Sequence, residues 1–133
     1  MRSIGQGTVA WIPWSLGGLY YRHSLPAHAS LFRDVLGRLV SQRQLWTDAH
    51  PLVEMSLMRQ GGRTLLHLIN LSGHSQTGYF APVAMGPIRV RVAGVFRNAK
   101  AVRADGDLPI RVNDRMSEFT IPRLADYELI VLQ

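Results

Sequence analysis

The chain has 133 residues, of which 47% are hydrophobic and none is cysteine. That is enough apolar material for one ordinary core, and it excludes a disulfide framework, a thiolate zinc site and a cysteine nucleophile while leaving the compartment open. The formal charge of +6 comes from 15 basic residues, all arginine except Lys100, but they are scattered singly rather than run together, so no nucleic-acid partner is expected.

The opening segment, Gly5-Gln6-Gly7-Thr8-Val9-Ala10-Trp11-Ile12-Pro13-Trp14, reads as one buried strand over Thr8 to Ile12 with no hairpin partner nearby. Pro13 ends it, because proline donates nothing to a sheet ladder. Ser15 to His23 reads as a loop, freed by Gly17-Gly18 and surrounded by Trp11, Trp14, Tyr20 and Tyr21. Ser24 is placed to cap the next helix, with Pro26 in its first turn. That helix is predicted over Ala27 to Gln42. Leu31, Phe32, Val35, Leu36, Leu39 and Val40 form its apolar stripe, and Arg33, Asp34, Arg38 and Ser41 its polar side. A stripe of this kind needs a cover.

Gln44 to Pro51 reads as a linker, with Asp48 as a turn former and Pro51 forcing an extended neighbour. The period then changes to short alternating segments. Val53, Met55 and Leu57 share one strand face, and Gln60-Gly61-Gly62-Arg63 turns the chain into Thr64 to Leu71 as a hairpin. Ser72 to Pro87, rich in Gly, Ser and Pro, is expected to wrap across one end of a sandwich, as a Greek-key connection does. Ile88, Val90 and Val92 then alternate with Arg89 and Arg91. Lys100 to Ala104, Leu108 to Val112, Glu118 to Ile121 and Tyr127 to Leu132 complete the series, with Asp105-Gly106, Asn113-Asp114 and Arg123 to Asp126 as turns. The expected fold is mainly β: an antiparallel two-sheet β-sandwich of about seven strands over residues 48–133, preceded by a strand-loop-helix segment over residues 1–47. No stretch reaches the roughly 18 uninterrupted apolar residues of a membrane span, and no apolar signal segment follows Met1, so neither a membrane partner nor an assigned location follows.

With those residues in view, the arrangement resembles the C-terminal part of glycoside hydrolases built from a catalytic barrel, a glutamine-amidotransferase-like domain of the β-galactosidase trimerisation type, and a final β-sandwich. Gly5 to Trp14 and Leu19-Tyr20-Tyr21-Arg22 look like the last strand and loop of the amidotransferase-like domain, and Leu31 to Val40 like its last helix. Val53 to Gln60, Leu65 to Ser72 with its closing Asn70-Leu71-Ser72, and Ile121 to Glu128 are similar to the terminal sandwich. The resemblance implies an accessory role, because the barrel with its two catalytic carboxylates has no counterpart in these residues.

The residues themselves point the same way. Glycoside hydrolysis needs two carboxylates about 5 to 9.5 Å apart. Asp105, Asp107, Asp114 and Asp126 fall in or beside turns, where Asp satisfies local backbone groups, and Glu54, Glu118 and Glu128 are expected to face solvent. His23, His28, His50, His67 and His74 show no metal-ligand spacing, so no metal and no cofactor is expected. His67, mid-strand among leucines, reads as a buried, hydrogen-bonded structural histidine. Ser72-Gly73-His74-Ser75 sets serine beside histidine without a nucleophile elbow. The leading expectation is a non-catalytic module that stabilises or oligomerises its neighbour, with that neighbouring catalytic or amidotransferase-like domain, or a second copy, as partner. The alternative is a carbohydrate-binding module. Trp11, Trp14, Tyr20 and Tyr21 would stack on sugar rings, Arg22 and His23 would bind hydroxyls, and the Ser72 to Pro87 connection offers a second surface. A small hydrolase using Ser72, His74 and the turn aspartates is the third.

Overall fold

The computed structural model describes residues 1–40, 42–75 and 77–133. They form two units, Met1–Arg43 and Gln44–Gln133. Ser41, expected on the polar side of the helix, and Gln76, within the long connection, lie outside the described residues.

The first unit corrects the expected solitary strand. Strands β1 (Arg2–Ile4) and β2 (Gly7–Val9) pair antiparallel, Arg2 opposite Val9 and Ile4 opposite Gly7, with every residue of both exposed. The pairing partner precedes the apolar run, in the short segment Arg2-Ser3-Ile4 that carries no strong strand signal of its own. Trp11 and Ile12 lie beyond the ribbon, and Trp11 is 80% exposed. The expected glycine loop is helix α1 (Leu16–His23) instead. Leu16, Leu19, Tyr20 and His23 recur at helical spacing, and burial of Leu16 with the packing of Tyr20 on Phe32 outweighs the entropic cost of Gly17 and Gly18. Leu16 is the buried residue of α1.

Ser24 does not cap the second helix; it ends the first, in the left-handed conformation with its N–H on the Tyr20 carbonyl. Helix α2 runs Pro26–Leu39, with Leu25 at its N-cap and proline in its first turn, as Pro26 dictates. It stops short of the expected Gln42. The two helices meet where Tyr20 packs edge-on to Phe32, ring centroids 6.4 Å apart. None of the residues of α2 is buried.

The second unit is the antiparallel two-sheet β-sandwich. Its strands are β3 (Leu45–Thr47), β4 (Val53–Gln60), β5 (Arg63–Asn70), β8 (Ile88–Ala93), β9 (Ala99–Ala101), β10 (Gly106–Leu108), β11 (Arg111–Asn113), β12 (Met116–Ile121) and β13 (Tyr127–Leu132), with β6 (His74–Ser75) and β7 (Gly78–Tyr79) as a small separate ribbon. The five-stranded sheet has the order β10-β9-β13-β5-β4 and the four-stranded sheet β11-β12-β8-β3. Nine strands therefore close the core where about seven were expected, for two reasons. The presumed linker contains β3, which pairs with β8, and the presumed strand Leu108 to Val112 is broken at Pro109, so that β10 belongs to one sheet and β11 to the other. A proline cannot donate to a ladder, and here it marks the corner between sheets.

The hairpin β4–β5 forms as expected. Gly61 and Gly62 both take positive φ, 53° and 77°, which is the two-residue turn whose twist matches the strands. The strict alternation of β8, with Ile88, Val90 and Val92 buried between exposed arginines, also stands. Leu66, Leu68, Phe119, Ile121, Ile130 and Leu132, all 2% exposed or less, join them in the core.

The connection between β5 and β8 crosses from one sheet to the other. Asn70 holds its start. Its amide donates to the carbonyls of Val83 (2.8 Å) and Ala125 (2.6 Å), and its side-chain oxygen accepts the Ser72 N–H. This buried clamp explains why the apolar strand ends in asparagine. Gly73 is required beside it, since a Cβ there would collide with the Phe80 carbonyl. No helix among the described residues is long and apolar enough to cross a membrane.

Candidate binding surfaces

The predicted sugar-stacking residues all lie in the first unit. Trp11, Trp14 and Tyr21 are exposed, Tyr21 to 89%. Helix α1 distributes Tyr20, Tyr21, Arg22 and His23 around its circumference, because adjacent helical residues point about 100° apart. Tyr20 turns toward Phe32, and Arg22 and His23 occupy the exposed last turn. There the positive charge of Arg22 suits the helix C-terminus.

The acids of the second unit are dispersed into separate tasks. Asp48, expected only to turn the chain, accepts from Arg89 twice: Oδ2 from Nε at 2.7 Å and Oδ1 from the backbone N–H at 2.8 Å. These bonds hold its carboxyl below the ordinary value and raise the Arg89 guanidinium. Lys100 meets Asp105 at 3.0 Å, which raises the Lys100 pKa, but both groups are exposed and the pair adds little stability. Partial burial pushes the Asp126 carboxyl up, yet the N–H groups of Tyr127 and Asp126 together with Arg103 outweigh it, and the net direction is down.

Glu128 corrects the expectation of a solvent-facing acid. It is 4% exposed and is held by backbone donors, the N–H groups of Arg103 (2.8 Å), Ala104 (3.0 Å) and Leu129 (2.9 Å). The carboxylate thus closes the turn after β9. Glu118 is half-buried on an outward sheet face. His67 is half-buried rather than buried, and its ring Nδ1 lies 2.8 Å from the Tyr127 hydroxyl. The Ser72 hydroxyl accepts the Val83 N–H and the His74 ring packs on Tyr79, so each has its own local partner. Among the described residues no three His, Asp or Glu side chains form a metal-holding group.

The outward faces of the two sheets differ in chemistry. On the five-stranded sheet, register places Met58 opposite Leu65 and Leu65 opposite Val131, while Leu129 lies opposite His67 and Tyr127 opposite Ile69. Met58 is 55% exposed, Val102 46% and Ile69 39%. An antiparallel sheet with one face in water is normally polar on that face; here an apolar strip crosses it between Glu54 and Ser56 on one side and Lys100 and Asp107 on the other. On the four-stranded sheet, a straight row crosses all the strands: Arg111 on β11, Glu118 on β12, Arg91 on β8 and Trp46 on β3. The Arg91 guanidinium lies 4.8 Å from the Trp46 ring centroid, a cation–π contact. Sequence reasoning missed Trp46 because it was assigned to a linker, and its strand exists only through pairing with β8.

No protein-family model and no curated protein matches the chain. Solved structures do. α-L-Fucosidase isoenzyme 2 from Paenibacillus thiaminolyticus matches 90% of this chain with a TM-score of 0.75 at 15% identity. A cycloisomaltooligosaccharide glucanotransferase from Paenibacillus sp., complexed with cycloisomaltoheptaose, matches 66% of it with a TM-score of 0.55 at 16% identity. The chain spans 20% of the fucosidase and 16% of the glucanotransferase. These likenesses show the fold, an antiparallel β-sandwich of the kind found within those two enzymes.

Proposed function

We propose that the chain is a non-catalytic accessory module of a glycoside-hydrolase-like protein, seating a neighbouring catalytic domain on its apolar surfaces. The observation that carries this reading is the apolar strip on the outward face of the five-stranded sheet, formed by Met58, Leu65, Ile69, Val102, Leu129 and Val131. Leaving such a patch in water costs about 25 cal/mol per Å². Helix α2, without a buried residue, presents a second unsatisfied stripe. The likeness to one fifth of a fucosidase chain supports a module beside a larger neighbour, and the finer parentage, the amidotransferase-like domain of the β-galactosidase trimerisation type, rests on the sequence resemblance.

In isolation the module should associate with itself through the same face. Sedimentation velocity across a concentration series is expected to show reversible oligomers, and Leu129→Lys to shift them to monomer while the thermal midpoint holds. A monodisperse monomer that binds no hydrophobic dye, or turnover of aryl glycosides by the purified chain, would overturn the reading.

The exposure of Trp11 and Tyr21 favours a second reading, sugar contact through Trp11, Trp14, Tyr20, Tyr21, Arg22 and His23. Titration with neutral galactosides is then expected to quench tryptophan fluorescence at millimolar sugar, and Trp11→Ala to weaken the response several-fold. An unchanged spectrum discards it.

A further inference from the structure

The four-stranded sheet carries a cleft of about 370 Å³ on its outward side, lined by Arg89, Pro109, Arg111, Glu118, Phe119 and Thr120. We propose that this cleft binds the carboxylate of an acidic sugar, a uronic-acid residue within an oligosaccharide. The site lies on a different sheet from the apolar face invoked above, so the two proposals stand or fall separately.

The argument starts from register. Thr120 stands opposite Arg89 and Glu118 opposite both Arg91 and Arg111, so that two rows of alternating donors and acceptors lie side by side on rigid strands. Three guanidinium groups face two carboxylates. Asp48 is already taken up by Nε and the backbone N–H of Arg89, which fixes that arginine in the cleft wall. Arg111 makes no ion pair among the described residues, although Glu118 is its cross-strand neighbour. A planar guanidinium fork matches a planar carboxylate, with two parallel hydrogen bonds.

The remaining groups select a sugar rather than a bare anion. Glu118 can accept hydrogen bonds from sugar hydroxyls, and the Thr120 hydroxyl can donate or accept. The same Glu118 charge disfavours a dianionic phosphate more than a singly charged carboxylate. The exposed Pro109 ring in the cleft wall offers apolar surface for the C–H face of a pyranose. From β11 to β8 is two strand spacings, about 10 Å, room for adjacent rings of an extended saccharide.

The test is a two-dimensional amide NMR titration of the full chain with trigalacturonate, with neutral galactotriose and inorganic phosphate as parallel arms. Shifts concentrated on β8, β11 and β12 with trigalacturonate alone are the expected result. Arg111→Gln should weaken binding about tenfold and Arg111→Lys less, since lysine keeps the charge but not the fork; Lys100→Gln, on the other sheet, should change nothing. Thermal midpoints of all three variants establish that they are folded. Equal shifts with the neutral trisaccharide or with phosphate, shifts confined to the first unit, or no shift at millimolar ligand would overturn the proposal.

Discussion

Replacing Phe119 by alanine is expected to be the most damaging single change in the sandwich. The ring is 2% exposed, sits on a central strand of the four-stranded sheet, and packs into a core shared with Leu66, Leu68, Ile130 and Leu132 of the opposite sheet. A Phe-to-Ala truncation in such a site costs about 3–5 kcal/mol, combining lost transfer energy with the cavity left behind. For a unit of this size that is a fall in thermal midpoint of roughly 12 °C or more, at about 4 °C or more per kcal/mol. Calorimetry on the full chain checks it. A change of only a few degrees would mean that the two sheets close over the gap, contrary to a core packed from both sides. Phe119→Leu, which keeps most of the volume, should recover more than half of the loss.

Glu128→Ala should have the second largest effect. The carboxylate accepts three backbone N–H groups, from Arg103, Ala104 and Leu129. Truncation strands these donors beside a void, and an unsatisfied buried group costs about 1–3 kcal/mol. The exposed Arg103 and Ala104 amides regain some water, which holds the total to about 2–3 kcal/mol. Glu128→Gln retains one acceptor oxygen and is expected to lose about half as much. Urea unfolding measures both, and equal stability of the alanine variant and the parent would show that the turn after β9 holds without the carboxylate.

The parts of this fold that were legible in the sequence are those whose signal is local and periodic. The β4–β5 hairpin was readable because Gly61-Gly62 separates two apolar runs, and β8 because Arg89 and Arg91 alternate with three buried aliphatics. What escaped depended on partners distant in sequence. Leu45–Thr47 is a strand because β8 lies beside it, 43 or more residues on, and no window around Trp46 contains that fact. Glu128 looked like any strand glutamate, since the donors that bury it belong to a turn more than 20 residues away. The first unit misled for another reason: glycine content suggested a loop where the spacing of Leu16, Leu19 and Tyr20 makes a helix. The candidate surfaces followed the same division. The aromatic residues were visible one by one, whereas the row from Arg111 to Trp46 exists only in register.

The edges of the two sheets are unequal. β3, β10 and β11 are three residues each, too short to template much, whereas β4 presents eight residues with one hydrogen-bonding side free among the described residues. Any foreign strand that adds to this domain, whether in a refolding mixture or a concentrated stock, has one long seam available to it. Glu54 and Arg59 on that strand are the charges that guard it. Removing them should favour strand addition along that seam without any change to the core.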